Sequence, residues 1–384
     1  MTFLQKFLHL EAASGILLAA CTLVALVIAN SPLNETYTHA LNFTFFSLTL
    51  HHWINDGLMA IFFFVVGMEI KHELVVGELS TPKKAGLPIL AAIGGMLFPA
   101  AIYHFFNLSG PAAHGWGIPM ATDIAFAVSL LSVFGKRVPF SLKVFLLALA
   151  IVDDLGAVLV IAFFYTQKIA FLYLLAAAGV FLLIYLARIF RFRCYATYIA
   201  LGTAAWFFFL RSGVHATVAG VILGFLTPLG IRNDEGRIES PLNDLVELLH
   251  PFVNFLIMPI FALANAGVDL RGNNFGELIA HPVSLGIGFG LIFGKPIGIV
   301  LLSWLGTLLK IAELPKGLRW SQIAGVGLVG GIGFTMALFI GGLALPAELE
   351  MVSKAGILVG SSVAALAGAG VLFFVLDKPG THRD

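Results

Sequence analysis

The sequence predicts an all-α integral membrane protein of 12 transmembrane helices, and three observations predict it. Of 384 residues, 59% are hydrophobic and only 11% charged, against about 25% charged in a soluble domain. Apolar runs long enough to cross a bilayer, roughly 17 to 25 residues each, recur along the whole chain. The basic residues gather on one side of those runs. No aqueous fold hides that much apolar surface, so the bilayer is the implied solvent. A net charge of +1 without basic patches argues against nucleic acid or an acidic macromolecule as partner.

The runs lie near residues 12–30, 57–77, 86–106, 115–134, 140–165 and 169–187, then 194–210, 212–228, 250–268, 282–306, 321–343 and 351–376. The first follows Lys6 but is longer than the apolar core of a signal peptide and lacks an A-x-A cleavage site, so it reads as a retained span. The segment between the first two runs, 31–55, is the longest connection; it alternates polar and apolar residues through Asn42, Phe43, Thr44 and Phe45, the pattern of a short external hairpin. The boundary between the seventh and eighth runs, around Arg211, is soft. Cys21 and Cys194 are far apart and without metal-ligand spacing, and read as packing residues. The whole chain reads as a single membrane domain.

Orientation follows from the positive-inside rule. With both termini cytoplasmic, Lys6, Lys71, Lys83, Lys84, Lys136, Arg137, Lys143, Arg188, Arg191, Arg193, Arg232, Arg237, Lys310, Lys316, Arg319, Lys378 and Arg383 face the cytoplasm. Only Lys168, Arg211, Arg271 and Lys354 face outside, and Lys295 sits within a span.

Most charges fall in loops or toward the ends of the runs, but Asp123, Asp153, Asp154 and Lys295 lie near the centres of theirs. Asp153 lies 14 residues from both Pro139 and Gln167, and Lys295 lies 13 from Pro282 and 15 from Lys310, so all four sit at similar depth. Each costs about 2.5 to 3.5 kcal/mol at a helix centre, on the order of 10 kcal/mol together if uncompensated. Pairing, a wet cavity, a proton or a bound cation can offset this. One reading is a structural ion pair between Asp123 and Lys295. Three carboxylates against one amine leave an excess, however, and Asp153 and Asp154, about 100° apart on a helix, can flank one cavity without sharing one partner. Such oxygens, with the Thr122 hydroxyl beside them, suit a cation that sheds its water.

Pro119 precedes Ala121, Thr122 and Asp123, and Gly330, Gly331, Ile332, Gly333, Phe334 and Thr335 lie inside the eleventh run. These are places where backbone can unwind at membrane depth, leaving half-helix ends whose partial charges Asp123 and Lys295 can neutralise. Glycines also serve as close-packing contacts, and that alternative stays open. The Gly294-Lys295-Pro296 sequence is not a phosphate loop: Phe289 stands where the first glycine is needed and Pro296 replaces the hydroxyl residue. No cofactor is indicated. An intramembrane aspartyl protease would carry a GxGD motif, which is missing, and a TVGYG-like channel filter is missing too. A symporter would need a pocket for an organic solute.

In these residues the chain resembles the bacterial sodium/proton antiporters of the NhaA family. The stretches that carry the resemblance are 53–60 (WINDGLMA), 67–74 (GMEIKHEL), 121–127 (ATDIAFA), 148–156 (ALAIVDDLG), 212–217 (SGVHAT), 261–267 (FALANAG), 294–298 (GKPIG) and 331–336 (GIGFTM). The resemblance implies a multi-pass protein of the bacterial inner membrane with inverted repeats, and discontinuous helices at spans 4 and 11 that cross near the ion site. It implies electrogenic exchange of Na+ or Li+ for a larger number of protons by alternating access, serving sodium and pH homeostasis. Asp153 and Asp154 would bind the cation and protons, Asp154 foremost, with Thr122 and Asp123 at one helix break. Lys295 would pair with Asp153, compensating its charge, or carry a proton. The resemblance further implies pH regulation through Glu69, Glu73, Glu247 and His250, with His215 tied to the pH response, membrane lipid as surroundings, and homodimers held partly by an external hairpin between the first two helices. This sequence departs from the family pattern at His72, where arginine is frequent, at Leu248, where a second histidine occurs, and at Asp244 and Leu245, where residues are often basic. Those departures leave the pH set point open.

Overall fold

The computed structural model describes residues 3–166, 169–190, 195–232, 238–272, 274–315 and 317–376. Gln167, Lys168, Arg191, Arg193, Cys194, Arg237, Lys316, Lys378 and Arg383 lie outside the described residues. The chain is an all-α membrane protein. In order the helices are α1 (Phe3–Ala29), α2 (Asn34–Leu41), α3 (Leu50–His52), α4 (Met59–Val75), α5 (Pro82–Phe106), α6 (Ile124–Val133), α7 (Phe140–Phe164), α8 (Phe171–Ile189), α9 (Tyr195–Ser212), α10 (Thr217–Leu226), α11 (Pro241–Phe252), α12 (Met258–Asn265), α13 (Phe275–Ala280), α14 (Pro282–Phe289), α15 (Lys295–Leu308), α16 (Trp320–Gly330), α17 (Phe334–Ala344) and α18 (Ala347–Val375). A 3-10 helix, Pro111–Met120, precedes α6, and π-helical turns at Trp53–Leu58, Val253–Ile257 and Gly290–Gly294 lead into α4, α12 and α15. Among the described residues, strand is confined to two small antiparallel pairs, β1 (Thr44–Phe45) with β2 (Leu48–Thr49), and β3 (Ile231–Arg232) with β4 (Ile238–Glu239). Among the described residues, seven helices are long and apolar enough to cross a membrane, or nine if the two sharply bent pairs each count as one.

The helices form two compact units. The first contains Met1–His39, Glu78–Ala157 and Met258–Asp384. Its interior is built on close helix contacts that only small residues allow. A Cβ on Gly94 of α5 would overlap the carbonyl of Gly298 on α15, and one on Gly298 would overlap that of Gly94. The pair lets two backbones touch and brings the start of α15, where Lys295 sits, against α5. The last helix, α18, buries Ser353, Gly356, Gly360, Ser361, Ala364 and Gly368, a run of small residues along one side. Two arginines hold its C-terminus, whose last carbonyls have no helical partner: Arg137 donates to Phe373 O and Leu376 O, and Arg319 to Val375 O.

The end of α1 is clasped to the segment that follows α12. Asn30 donates to Val268 O at 2.8 Å and accepts from Leu270 N at 2.8 Å, Tyr37 donates to Leu263 O at 2.6 Å, and Asn34 donates to Asp269 at 2.8 Å. Arg271 closes the set with Ser31 O at 2.9 Å and an ion pair to Asp269 at 3.0 Å. The guanidinium's hydrogen bond holds the Asp269 carboxyl below its usual range.

The second unit contains Ala40–Gly77 and Val158–Ile257. Here α4 and α10 approach through glycine in the same way: a Cβ on Gly220 would strike the carbonyl of Ala60. Ala177 and Phe209, from α8 and α9, pack with Ala219 of α10. The C-terminal carbonyls of α10 are taken by Lys71, which donates to Phe225 O at 2.8 Å and Thr227 O at 2.5 Å.

Three expected boundaries move, for local reasons. The run 212–228 is not one helix: α9 continues to Ser212, Gly213 turns the chain at φ +85°, and α10 starts only at Thr217, which is how glycine ends helices. The run 250–268 begins earlier, at Pro241, because the Ser240 hydroxyl accepts from Asn243 N and the proline preorganises the first turn. Leu242, Val246 and His250 form the buried stripe that lets this polar extension stay helical. The run 12–30 also starts earlier, at Phe3. In the segment 31–55, α2 occupies Asn34–Leu41 and the hairpin pairs Thr44 with Thr49 and Phe45 with Leu48. Its two turn residues, Phe46 at φ 47° and Ser47 at φ 65°, take the left-handed conformation that Asn-Gly usually supplies.

Candidate ion-binding site

Two helix breaks face each other in the first unit. In one, Pro111–Met120 ends and Ala121, Thr122 and Asp123 run extended before α6 begins. In the other, α16 ends at Gly330 and α17 starts at Phe334, with a bend of 49°. The backbones are joined directly, Asp123 N donating to Ile332 O at 2.7 Å.

Each break exposes a positive helix start and a negative helix end, and side chains take up all four. Asp123 caps both starts. Its Oδ1 accepts from Phe126 N of α6 at 3.1 Å, and its Oδ2 accepts from Thr335 N of α17 at 3.0 Å and from the Thr335 hydroxyl. At the two ends, the Lys295 ammonium donates to Met120 O, and the Thr122 hydroxyl lies 2.9 Å from Gly330 O. A further acceptor competes for that hydroxyl proton, Asp153 Oδ2 at 2.7 Å.

Asp153 and Asp154 sit in the middle of α7, both buried. Lys295 Nζ lies 2.8 Å from Asp153 Oδ2, with neither side chain exposed. The same oxygen takes the Thr122 hydroxyl, whereas Asp153 Oδ1 is buried without a hydrogen-bond partner. Asp154, the next residue of α7, is offset from Asp153 by about 100° around the helix. Lys295 pairs with Asp153 and not with Asp123, which serves the helix starts. Among the described residues no group of three or more His, Cys, Asp or Glu side chains is arranged around a common metal position.

The remaining sequence candidates all lie in the second unit. Glu69 of α4 and His250 of α11 come together, Oε1 to Nε2, at 3.5 Å. Glu73 stands 3.8 Å from His72, and Glu247 lies on α11 one turn before His250. His215 meets Asp56 at 3.3 Å and the Thr217 hydroxyl at 2.8 Å.

Both breaks, the aspartate pair and the buried lysine fall in a segment with known relatives. The family model described as Na+/H+ antiporter 1 matches residues 5–372. The chain belongs to the Na+/H+ antiporter 1 family. Among its relatives, Na(+)/H(+) antiporter NhaA 2 of Pseudomonas syringae pv. syringae (strain B728a) is 50% identical over 97% of this chain and 95% of its own length. Na(+)/H(+) antiporter NhaA of Vibrio alginolyticus is 46% identical over 98% of each chain. The NhaA of Proteus mirabilis (strain HI4320) is 47% identical over 98% of this chain and 97% of its own length.

In this member of the Na+/H+ antiporter 1 family, sequence reasoning missed three contributors: the carbonyls of Met120 and Gly330 and the side chain of Thr335. Carbonyls carry no sequence signal. Thr335 sits in the Gly-rich stretch and was detectable only as a hydroxyl at the start of a half-helix. A fourth residue, Ser361 of α18, accepts from Gly333 N at 3.2 Å and Phe334 N at 3.1 Å, and no local pattern announces it.

Proposed function

We propose that this protein exports Na+ or Li+ in exchange for protons by alternating access, with cation and protons competing for Asp153 and Asp154. The observation that carries this reading is the state of Asp153: one oxygen shared by Lys295 and Thr122, the other buried without a partner, beside a second buried carboxylate. Native proteins leave few buried polar atoms unsatisfied, and an oxygen in that condition next to Asp154 is a place for a cation or a proton.

Competition supplies the coupling. Outside, abundant protons displace the cation; inside, scarce protons let it load. If Asp154 and Lys295 each give up one proton when one Na+ binds, each cycle carries one net positive charge inward and exchange is electrogenic. Lys295 balances Asp153 in the cation-free state and is freed, or gives up its proton, when the cation takes its place. The empty site resists reorientation because its charges would cross without compensation.

The same reading includes 12 helices with inverted repeats, the broken spans 4 and 11 crossing at the site, both termini cytoplasmic, and residence in the bacterial inner membrane among lipids as a homodimer. The Glu69–His250 contact supports a pH response from Glu69, Glu73, Glu247 and His250, and the His215–Asp56 contact supports a part for His215.

The test is proton flux in sealed liposomes with an imposed pH gradient. Collapse of the gradient on adding sodium or lithium but not potassium supports the reading; equal behaviour with every cation, or with none, contradicts it.

A further inference from the structure

We infer that Ser361 is a positioning residue for the ion site, an N-cap supplied to α17 from another helix. The inference rests on the proposed exchange at Asp153 and Asp154. A helix start needs acceptors for its first N–H groups, and a Ser, Thr, Asp or Asn at the N-cap ordinarily provides one. The N-cap of α17 is Gly333, which has no side chain to offer. Buried against α18, the N–H groups of Gly333 and Phe334 turn instead to the Ser361 hydroxyl, at 3.2 and 3.1 Å. The next N–H, of Thr335, goes to Asp123.

The first turn of α17 is thus shared between a neutral acceptor and a charged one. Asp123 has a second duty, since it also caps α6 at Phe126 N. Without Ser361, two buried donors either go unsatisfied, which is costly, or draw on Asp123 and pull it from α6. Asp123 is followed back along the chain by Thr122, whose hydroxyl reaches both Asp153 and Gly330 O. Ser361 touches none of the cation-binding oxygens. It acts through the backbone at residues 333–335, and a shift there is passed to Thr122 and Asp153 across the two breaks.

Replacing Ser361 should therefore weaken cation binding more than it slows a saturated cycle. Ser361→Ala is expected to raise the apparent sodium KM by about fivefold to thirtyfold, the factor that losing one helix cap carries, with the saturated rate changing far less. Ser361→Thr, which keeps the hydroxyl, should restore the KM. Amide hydrogen exchange over residues 331–336 gives a second readout independent of transport: faster exchange in Ser361→Ala, protection regained in Ser361→Thr. Unchanged exchange in Ser361→Ala would overturn the cap, as would failure of Ser361→Thr to regain protection. Faster exchange with an unaltered sodium KM would overturn the positioning role. A wild-type protein that exchanges no alkali cation for protons would instead sink the functional reading, and this role with it.

Discussion

The Lys295 ammonium lies 2.8 Å from Asp153 Oδ2, with both side chains fully withdrawn from solvent. Neither charge has water to fall back on, so each is held by the other and by what the helix breaks provide, Met120 O for the lysine and Thr122 for the aspartate.

Breaking this pair from one side should cost more than removing it whole. Lys295→Ala leaves the Asp153 charge buried alone and is expected to lower stability by about 3 to 5 kcal/mol. Adding Asp153→Asn to it should recover much of that loss. Thermal unfolding of the purified single and double variants checks this; strictly additive losses would show that the two groups are not energetically coupled.

The glycine contact between α5 and α15 makes a second expectation. Gly298→Ala places a methyl against the Gly94 backbone, which has no flexible end to move, so α15 must shift and carry Lys295 with it. Overpacking of this kind costs about 1 to 3 kcal/mol. Gly179 in α8 meets nothing within 4 Å, so Gly179→Ala should be neutral or slightly stabilising, by up to about 1 kcal/mol. Melting temperatures of both variants, measured in the same detergent, separate a specific contact from general intolerance.

The clasp at Asp269 gives a pH dependence whose sign follows from its lowered folded-state pKa. A carboxyl bound more tightly when ionised contributes stability that is fully present above its unfolded pKa and is lost as pH falls through the lower folded value. Asp269 and Arg271 are partly open to solvent, which screens the pair, so the effect is small. Asp269→Asn should slightly lower the melting temperature near neutral pH and make no difference at strongly acid pH. A variant equally destabilised at both would assign the loss to packing instead.

The parts of the site that were legible in the sequence were the expensive ones. Asp123, Asp153, Asp154 and Lys295 declare themselves because charge inside an apolar run demands compensation, and Pro119 and Gly330–Gly333 mark where helices can open. Which charge pairs with which was not legible from spacing: Lys295 lies far along the chain from Asp123 and Asp153 alike, and only the family resemblance pointed it to Asp153. Ser361 was invisible for the same reason. A serine in a membrane helix is ordinary, and its partners stand 28 and 27 residues away. The hairpin turn at Phe46 and Ser47 escaped because both residues take left-handed φ values without the Asn-Gly pair that ordinarily marks such a turn.

The most direct test of the account is the proton count on sodium binding. Titrating the purified protein with sodium by calorimetry, in buffers of different ionisation heat, gives the number of protons released per ion bound. Competition at Asp153 and Asp154 predicts proton release on binding in the wild type, and loss of both sodium binding and release in Asp154→Asn. Sodium that binds without releasing protons, or that binds Asp154→Asn as it binds the wild type, would contradict it.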